Sequence, residues 1–407
     1  MGKSRALEHC AFLDWLLKQI KKHQVDALIV AGDIFDTGSP PSYARVMYNR
    51  FIVDIQSKGC ELVVLGGNHD SVATLNESKE LLACLNTHVV SGVMEESNEQ
   101  VITLKSNTGE AGAILCAIPF IRPRDVMMSQ AGQSGKDKQQ AMQQSISGHY
   151  HTLYQQALLV QEAYQKKHKK LLPIIATGHL TTVGASTTDS VREIYIGTLD
   201  AFPASGFPPA DYIALGHIHR SQLVAKSEHI RYSGSPIPLS FDESKGDNEK
   251  SVMLVDFKAG KFEKAQALAI PNFQPMQIIK GDLKSIESQL TTLQASYNLE
   301  EGQNIWVEVV VSSQDYLNDL QTRVQKITED LPIEVLLLRR ERKNRQSALH
   351  KEEKETLNEL SVSDVFERRL SEENWQDDDE NKRLERLKIN FKQVVDELHD
   401  VSKKRDR

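Results

Sequence analysis

Cysteine is scarce and never paired. The four present, Cys10, Cys60, Cys84 and Cys116, include no Cys-x-x-Cys motif, which argues against a zinc ribbon or a dithiol redox site. Each sits in an apolar stretch and is expected as a buried, reduced thiol. Long apolar runs are missing too. None approaches the roughly 18 residues that cross a bilayer, and no basic-then-apolar leader opens the chain, so the cytoplasm is the expected compartment. A Gly-x-x-x-x-Gly-Lys-[Ser/Thr] phosphate loop is absent, so ATP hydrolysis at such a loop is not expected of this chain. There is no basic excess either: 49 Lys and Arg against 56 Asp and Glu leave a net charge of −7. By itself that balance argues against a nucleic-acid binder. The charge is uneven, however. Acidic residues crowd positions 372–373 and 377–380, while 166–170 and 339–345 are basic, so the total says little about any one face.

What is present fits a soluble globular protein: 40% hydrophobic and 26% charged residues over 407 positions, enough for two or three domains. Apolar spacing predicts a helix over 4–23, a strand over 27–31, a helix over 43–56 after Pro40-Pro41, and a strand over 61–65. That β-α-β order makes the two strands parallel. A helix over 74–85 and strands over 100–104 and 112–118 follow. Positions 125–170 are rich in Gln, Lys, His and Ser and are expected as a polar helical insertion on the surface. Strand patterns return at 173–177, 212–215, 230–233 and 251–257. The long irregular stretch 181–209 between two of them is expected as a functional or mobile loop. From 276 to 340 the pattern strand–helix–strand–helix–strand predicts a small, separate α/β unit. Beyond it, 341–407 is charged and helical. Ser361-x-x-Asp364 fits a capping box, and amphipathic stripes run over 362–370 and 384–398. Those stripes either pack on the α/β unit or dock onto a partner.

Four short motifs each close an apolar strand: Gly32-Asp33-Ile34-Phe35-Asp36, Gly67-Asn68-His69-Asp70, Gly178-His179 and Gly216-His217-Ile218-His219. The carboxyl ends of strands are where α/β folds build their sites. One carboxylate, one amide oxygen and several imidazoles suit divalent transition metals. Two ions about 3.5–4 Å apart need a bridging carboxylate and several terminal ligands. Asp33 is the expected bridge, following a glycine that permits close approach. Asn68 would give a side-chain oxygen to one ion, and His179 and His217 would complete its shell. His219, two residues beyond His217 in an extended segment, would point the same way and reach the adjacent ion. His69 is placed to donate a proton to a leaving oxygen or to hold the scissile phosphate. Asp70 would orient His69 or a neighbouring backbone donor, and Asp36 would cap the following turn. A lone histidine after glycine, such as His179, is ordinarily structural. It is the ordered set of four motifs that carries the metal reading.

That ordered set resembles the calcineurin-like metallophosphoesterase superfamily and, within it, the nuclease subunits of SbcCD-type complexes. The likeness extends through Val30-Ala31-Gly32-Asp33, Asn68-His69-Asp70-Ser71-Val72-Ala73-Thr74, Thr177-Gly178-His179-Leu180-Thr181-Thr182, Gly216-His217-Ile218-His219-Arg220 and Gly234-Ser235-Pro236-Ile237-Pro238-Leu239-Ser240-Phe241. It implies an α/β fold: a two-sheet αββα sandwich over 1–270, a DNA-binding α/β cap over 272–340, and partner-binding C-terminal helices over 341–407. It further implies two Mn2+ ions, bridged by Asp33, with Asn68, His179 and His217 on one and His219 on the other, and His69 as the catalytic histidine. The implied activity is double-strand exonuclease and single-strand or hairpin endonuclease cleavage in DNA recombination, repair and replication. The implied partners are DNA, an SbcC-type coiled-coil ATPase and a second copy of the chain. Family members open with a strand ending in Asp-x-His, which supplies two further ligands to the ion held by His219. Here Met1-Gly2-Lys3-Ser4-Arg5 falls beyond that point, so a truncated or mis-set start is expected. Two other functions compete with the nuclease: a phosphoesterase for non-DNA substrates, and an inactive structural subunit.

Overall fold

The computed structural model describes residues 3–94, 96–126, 135–188, 190–191, 201–244, 249–293, 296–297, 299, 302–312, 320–340 and 387. The chain divides into two compact units, 1–341 and 342–407. The amphipathic stripes expected over 362–370 and 384–398 lie outside the described residues, Leu387 excepted. Among the described residues no helix is long and apolar enough to cross a membrane.

Two sheets form the centre of the first unit. Strands β1 (Ala27–Val30), β2 (Glu61–Leu65) and β3 (Thr87–Val90) are parallel, with β2 in the middle. The second sheet runs in the order β4 (Val101–Lys105), β5 (Ala111–Cys116), β6 (Ile174–His179), β7 (Tyr212–Gly216), β9 (Ser227–Tyr232), β8 (Gln222–Val224). Its central pairs β5–β6, β6–β7 and β7–β9 are parallel, and its two edges are antiparallel.

The strand period of two decides which side chains go where. Val63 and Leu65 of β2 and Ala113 and Leu115 of β5 meet in one core between the sheets. Their neighbours Leu62 and Val64 turn outward under helix α1 (Ala6–His23) and helix α2 (Ser42–Gln56), where Phe12, Leu16, Ile20, Phe51, Ile52 and Ile55 are buried. On the far side, Ile114 and Cys116 turn outward under a single long helix. The result is a helix–sheet–sheet–helix sandwich.

Several elements differ from the sequence expectation. The helix expected over 74–85 is broken into α3 (Val72–Asn76) and α4 (Lys79–Ala83), with Ser71 capping the first through a 3.3 Å bond from the Thr74 N–H. After the short helix α5 (Pro123–Val126) comes α6 (Gly135–His168). This segment is helical as the composition implies, but it is not merely a surface insertion. Met142, Ile146, Tyr150, Leu153 and Ala157 are all buried in the largest core cluster. They recur at spacings of four, four, three and four, so few apolar residues suffice to cover one helix face. Cys60 and Cys116 are buried as expected, whereas Cys10 and Cys84 are exposed; all four are free thiols. Strand β10 (Ser251–Lys258) pairs with β11 (Lys261–Ala269) in an antiparallel hairpin. The second strand has a weak pattern because its buried side is thin, with only Phe262 and Ala265 reaching the inter-sheet core.

Strands β12 (Met276–Gly281), β13 (Ile305–Val311) and β14 (Ile333–Arg340) form a separate parallel sheet with β13 central. Helices α7 (Leu283–Leu293) and α8 (Leu320–Thr328) cover it, with a core of Ile286, Leu290, Val307, Val309 and Val324.

Candidate metal centre

Asp33 and His179 come from different sheets and meet at the seam. Asp33 lies just beyond β1, in the left-handed region (φ +52), after Gly32 at φ +98. A Cβ on Gly32 would lie 2.1 Å from Nδ1 of His179, so only glycine lets the imidazole approach. His179 is the last residue of β6. Its Nδ1 is 2.8 Å from the Ala31 carbonyl, and its Nε2 is 2.9 Å from Asn68 Oδ1 and 3.2 Å from Asp33 Oδ2. A carbonyl only accepts, so the Nδ1 proton is committed to Ala31. In the neutral ring, Nε2 then aims a lone pair at two oxygen acceptors.

His217 follows β7 and also carries a positive φ of +87, uncommon for a residue other than glycine and costly unless the surroundings hold it. Its Nδ1 is 3.3 Å from Asn68 Oδ1. Its Nε2 is buried with no hydrogen-bond partner among the described residues. Ligand atoms of Asp33, His179 and His217 all lie within 4.8 Å of one another. Clustered acceptors and an orphaned ring nitrogen are what a cation corrects, so the donor set fits a divalent metal. When bound, such an ion supplies Lewis-acid polarisation of a phosphoryl group and neutralises its charge.

The electrostatics agree. Burial acts to raise the Asp33 carboxyl, yet the hydrogen bond and charge of His179, with His69 beyond, hold it down at about 2. His179 is pushed the other way: burial would lower it, but Asp33 and the Ala31 carbonyl raise it. His217 is driven down to about 3 by burial and by the neighbouring His179. Asp33 and His179 thus each favour the charged form of the other, while His217 beside them is held toward its neutral form.

The loop after β2 supplies the rest. A Cβ on Gly67 would fall 2.1 Å from Asp33 Oδ1 and 2.3 Å from the Asp33 backbone nitrogen. The His69 N–H donates to Asp33 Oδ1 at 3.2 Å, and the His69 ring donates from Nδ1 to the Asp36 carbonyl at 2.9 Å. In the neutral ring, Nε2 of His69 then carries the lone pair. Asp70 is buried and contacts backbone donors: its Oδ2 accepts from Ile34 N–H and Gly67 N–H, and its Oδ1 from Phe35 N–H, at 2.8–3.0 Å. It ties the Asp33 loop to the Asn68 loop. Arg122 donates to the Asp70 carbonyl at 3.2 Å.

His219 is not in the same donor group. The segment after β7 is not extended, because the positive φ at His217 breaks the period of two, and the two imidazoles turn to different partners. His219 Nδ1 lies 2.7 Å from Ser190 Oγ and 3.0 Å from Oε1 of Glu243. The sequence offered no signal for Glu243, which sits in a short polar turn after a proline-containing segment, 190 and 219 being brought to it by the fold. Burial would raise the Glu243 carboxyl, but the hydrogen bond from His219 and the charge of Lys250 hold it well below the usual carboxylate range.

A two-sheet sandwich with a carboxylate, an amide oxygen and imidazoles gathered at its strand ends defines a metal-dependent phosphodiesterase. Residues 8–221 match the calcineurin-like phosphoesterase family, and 272–374 match a family described as the type 5 capsule protein repressor C-terminal domain. The chain is 53% identical to the D subunit of nuclease SbcCD from Escherichia coli (strain K12), over 95% of this chain and 92% of that one. It is 28% identical to the corresponding Bacillus subtilis (strain 168) protein over 78% of this chain and 76% of that one. For the Rhodobacter capsulatus protein of the same name the figures are 32%, 64% and 63%. The chain belongs to the calcineurin-like phosphoesterases and, among them, to the SbcD family of nuclease subunits.

Proposed function

We propose that this chain is a Mn2+-dependent DNA nuclease subunit, cutting duplex ends as an exonuclease and single strands or hairpins as an endonuclease. The observation that carries the reading is the convergence of Asp33, Asn68, His179 and His217 on one point at the sheet seam. In this reading Asp33 would hold both ions, Asn68, His179 and His217 would hold one of them, and His219 would hold the other. His69 is the catalytic histidine: its Nδ1 proton stays with the Asp36 carbonyl, and Nε2 takes a proton and delivers it to the leaving oxygen. Asp70 keeps the two ligand loops in register through their backbone N–H groups.

The unit over 272–340 guides DNA, and 341–407 binds an SbcC-type coiled-coil ATPase, the source of ATP dependence. The complex acts in the cytoplasm in DNA recombination, repair and replication. Two copies of the chain pair within it. On α2, Tyr43, Val46 and Val53 are each more than half exposed and lie at spacings of three and seven, an apolar stripe that supports self-association.

The test compares Mn2+-dependent release of nucleotides from duplex DNA with hydrolysis of an aryl phosphate, with and without the ATPase. DNA cleavage is the expected result. Cleavage of the aryl ester alone, even with the ATPase present, overturns the nuclease reading.

A further inference from the structure

Glu243 is 2% exposed, yet every hydrogen-bonding direction of its carboxylate is used. Oε1 accepts from Thr188 Oγ1 at 3.0 Å, from Ser240 Oγ at 3.2 Å, from Ser190 Oγ, and from His219 Nδ1 at 3.0 Å. Oε2 accepts from Lys250 Nζ at 2.6 Å, from Ser235 Oγ at 3.1 Å and from the Leu239 N–H at 3.1 Å. Lys250 also donates to the His219 carbonyl at 3.0 Å and to Ser235 Oγ at 2.7 Å. His219 is therefore held at both its ring and its backbone by one buried ion pair and the hydroxyls around it.

From this geometry we propose that Glu243 is a positioning residue, which locks the His219 ring with its proton on Nδ1 so that Nε2 is the nitrogen presented to a metal. A carboxylate oxygen only accepts, so Nδ1 must be the protonated nitrogen. The other ring nitrogen then carries the lone pair. Carboxylate partners of this kind set imidazole tautomer and orientation at metal sites. Lys250 balances the charge of Glu243, so the carboxylate can be buried without being left unpaired. The proposal rests on His219 being a metal ligand, as the function above has it.

The bland alternative is that Glu243 and Lys250 are only a structural ion pair. Two variants of the full chain separate the readings. Glu243→Gln removes the charge but keeps the shape. Adding Lys250→Met removes the stranded ammonium and restores neutrality. Nitrogen-15 spectra of histidine-labelled, metal-free protein, with His219 assigned through His219→Ala, read the tautomer directly. In the parent chain His219 carries its proton on Nδ1. In both variants the proton shifts toward Nε2, and Mn2+ affinity falls roughly 10–100-fold. The double variant regains the thermal midpoint lost in Glu243→Gln without regaining Mn2+ affinity. A His219 tautomer unchanged in both variants overturns the proposal, as does a double variant that recovers both stability and affinity. A parent chain that binds no Mn2+ while the tautomer still shifts overturns the metal reading and leaves the positioning role standing.

Discussion

Nε2 of His179 stands 3.2 Å from Oδ2 of Asp33, although the two side chains are delivered by different sheets of the sandwich. Each raises the charged fraction of the other, and a divalent ion entering the group must displace the His179 proton. Burial would lower the His179 pKa, but Asp33 raises it above its ordinary value, so the metal-free chain loses this proton at a higher pH than a free imidazole would. Mn2+ affinity should accordingly rise with pH, and more protons should be released on binding at a pH below the His179 titration than at one above it. Calorimetry in two buffers of different ionisation enthalpy counts them. Equal release at both pH values would contradict the pairing.

His217 works in the opposite direction. Its pKa falls from 6.5 in the unfolded chain to about 3 in the folded one. Between those values the unfolded state binds the additional proton, so stability falls as pH is lowered through that window and is fully present above it. In metal-free protein, His217→Gln should flatten the acid side of a plot of denaturant midpoint against pH. Parallel curves for the two proteins would show that His217 is not held neutral.

Removing His69 and removing a ligand should have different signatures. His69→Ala is expected to lower DNA cleavage about 10²–10⁴-fold, the range of a general acid, with Mn2+ content nearly unchanged. His217→Ala and Asp33→Ala should instead lower Mn2+ content by elemental analysis. Loss of metal together with activity in His69→Ala would make His69 a ligand.

Two glycine substitutions test the close approach. At Gly67 a new methyl meets Asp33 backbone as well as side chain, so Gly67→Ala should lower both Mn2+ content and the thermal midpoint. A methyl added at Gly148, in the interior of α6, would meet nothing among the described residues within 4 Å. Gly148→Ala should stabilise by about 0.5–1 kcal/mol through helix preference alone. Equal effects from the two would mean that the packing around Gly67 relaxes.

Burial on α6 can be measured in the same way. Ile146 is fully buried and Leu159 is 68% exposed. Ile146→Ala should cost about 2–5 kcal/mol in chemical denaturation, and Leu159→Ala about 0.5 kcal/mol or less. Similar small costs at both positions would return this helix to the surface role its composition implies.

The candidate donor types, their attachment to strand ends and the helix–strand alternation were legible in the sequence, because each depends on residues a few positions apart. The convergence of the β1, β2, β6 and β7 motifs follows from strand order, and the motifs' shared position at carboxyl ends already pointed to it. The burial of α6 was not legible: one thin row of apolar side chains reads as polar until a sheet is laid against it. The divergence of His217 and His219 was hidden as well, since a positive φ at a histidine has no local signature, and neither does the pull of Glu243 on the next imidazole. Residue chemistry and spacing thus determined what kind of centre this chain can build. Only tertiary packing decided which face each ring presents, because that choice is made by partners distant along the chain and adjacent only after folding.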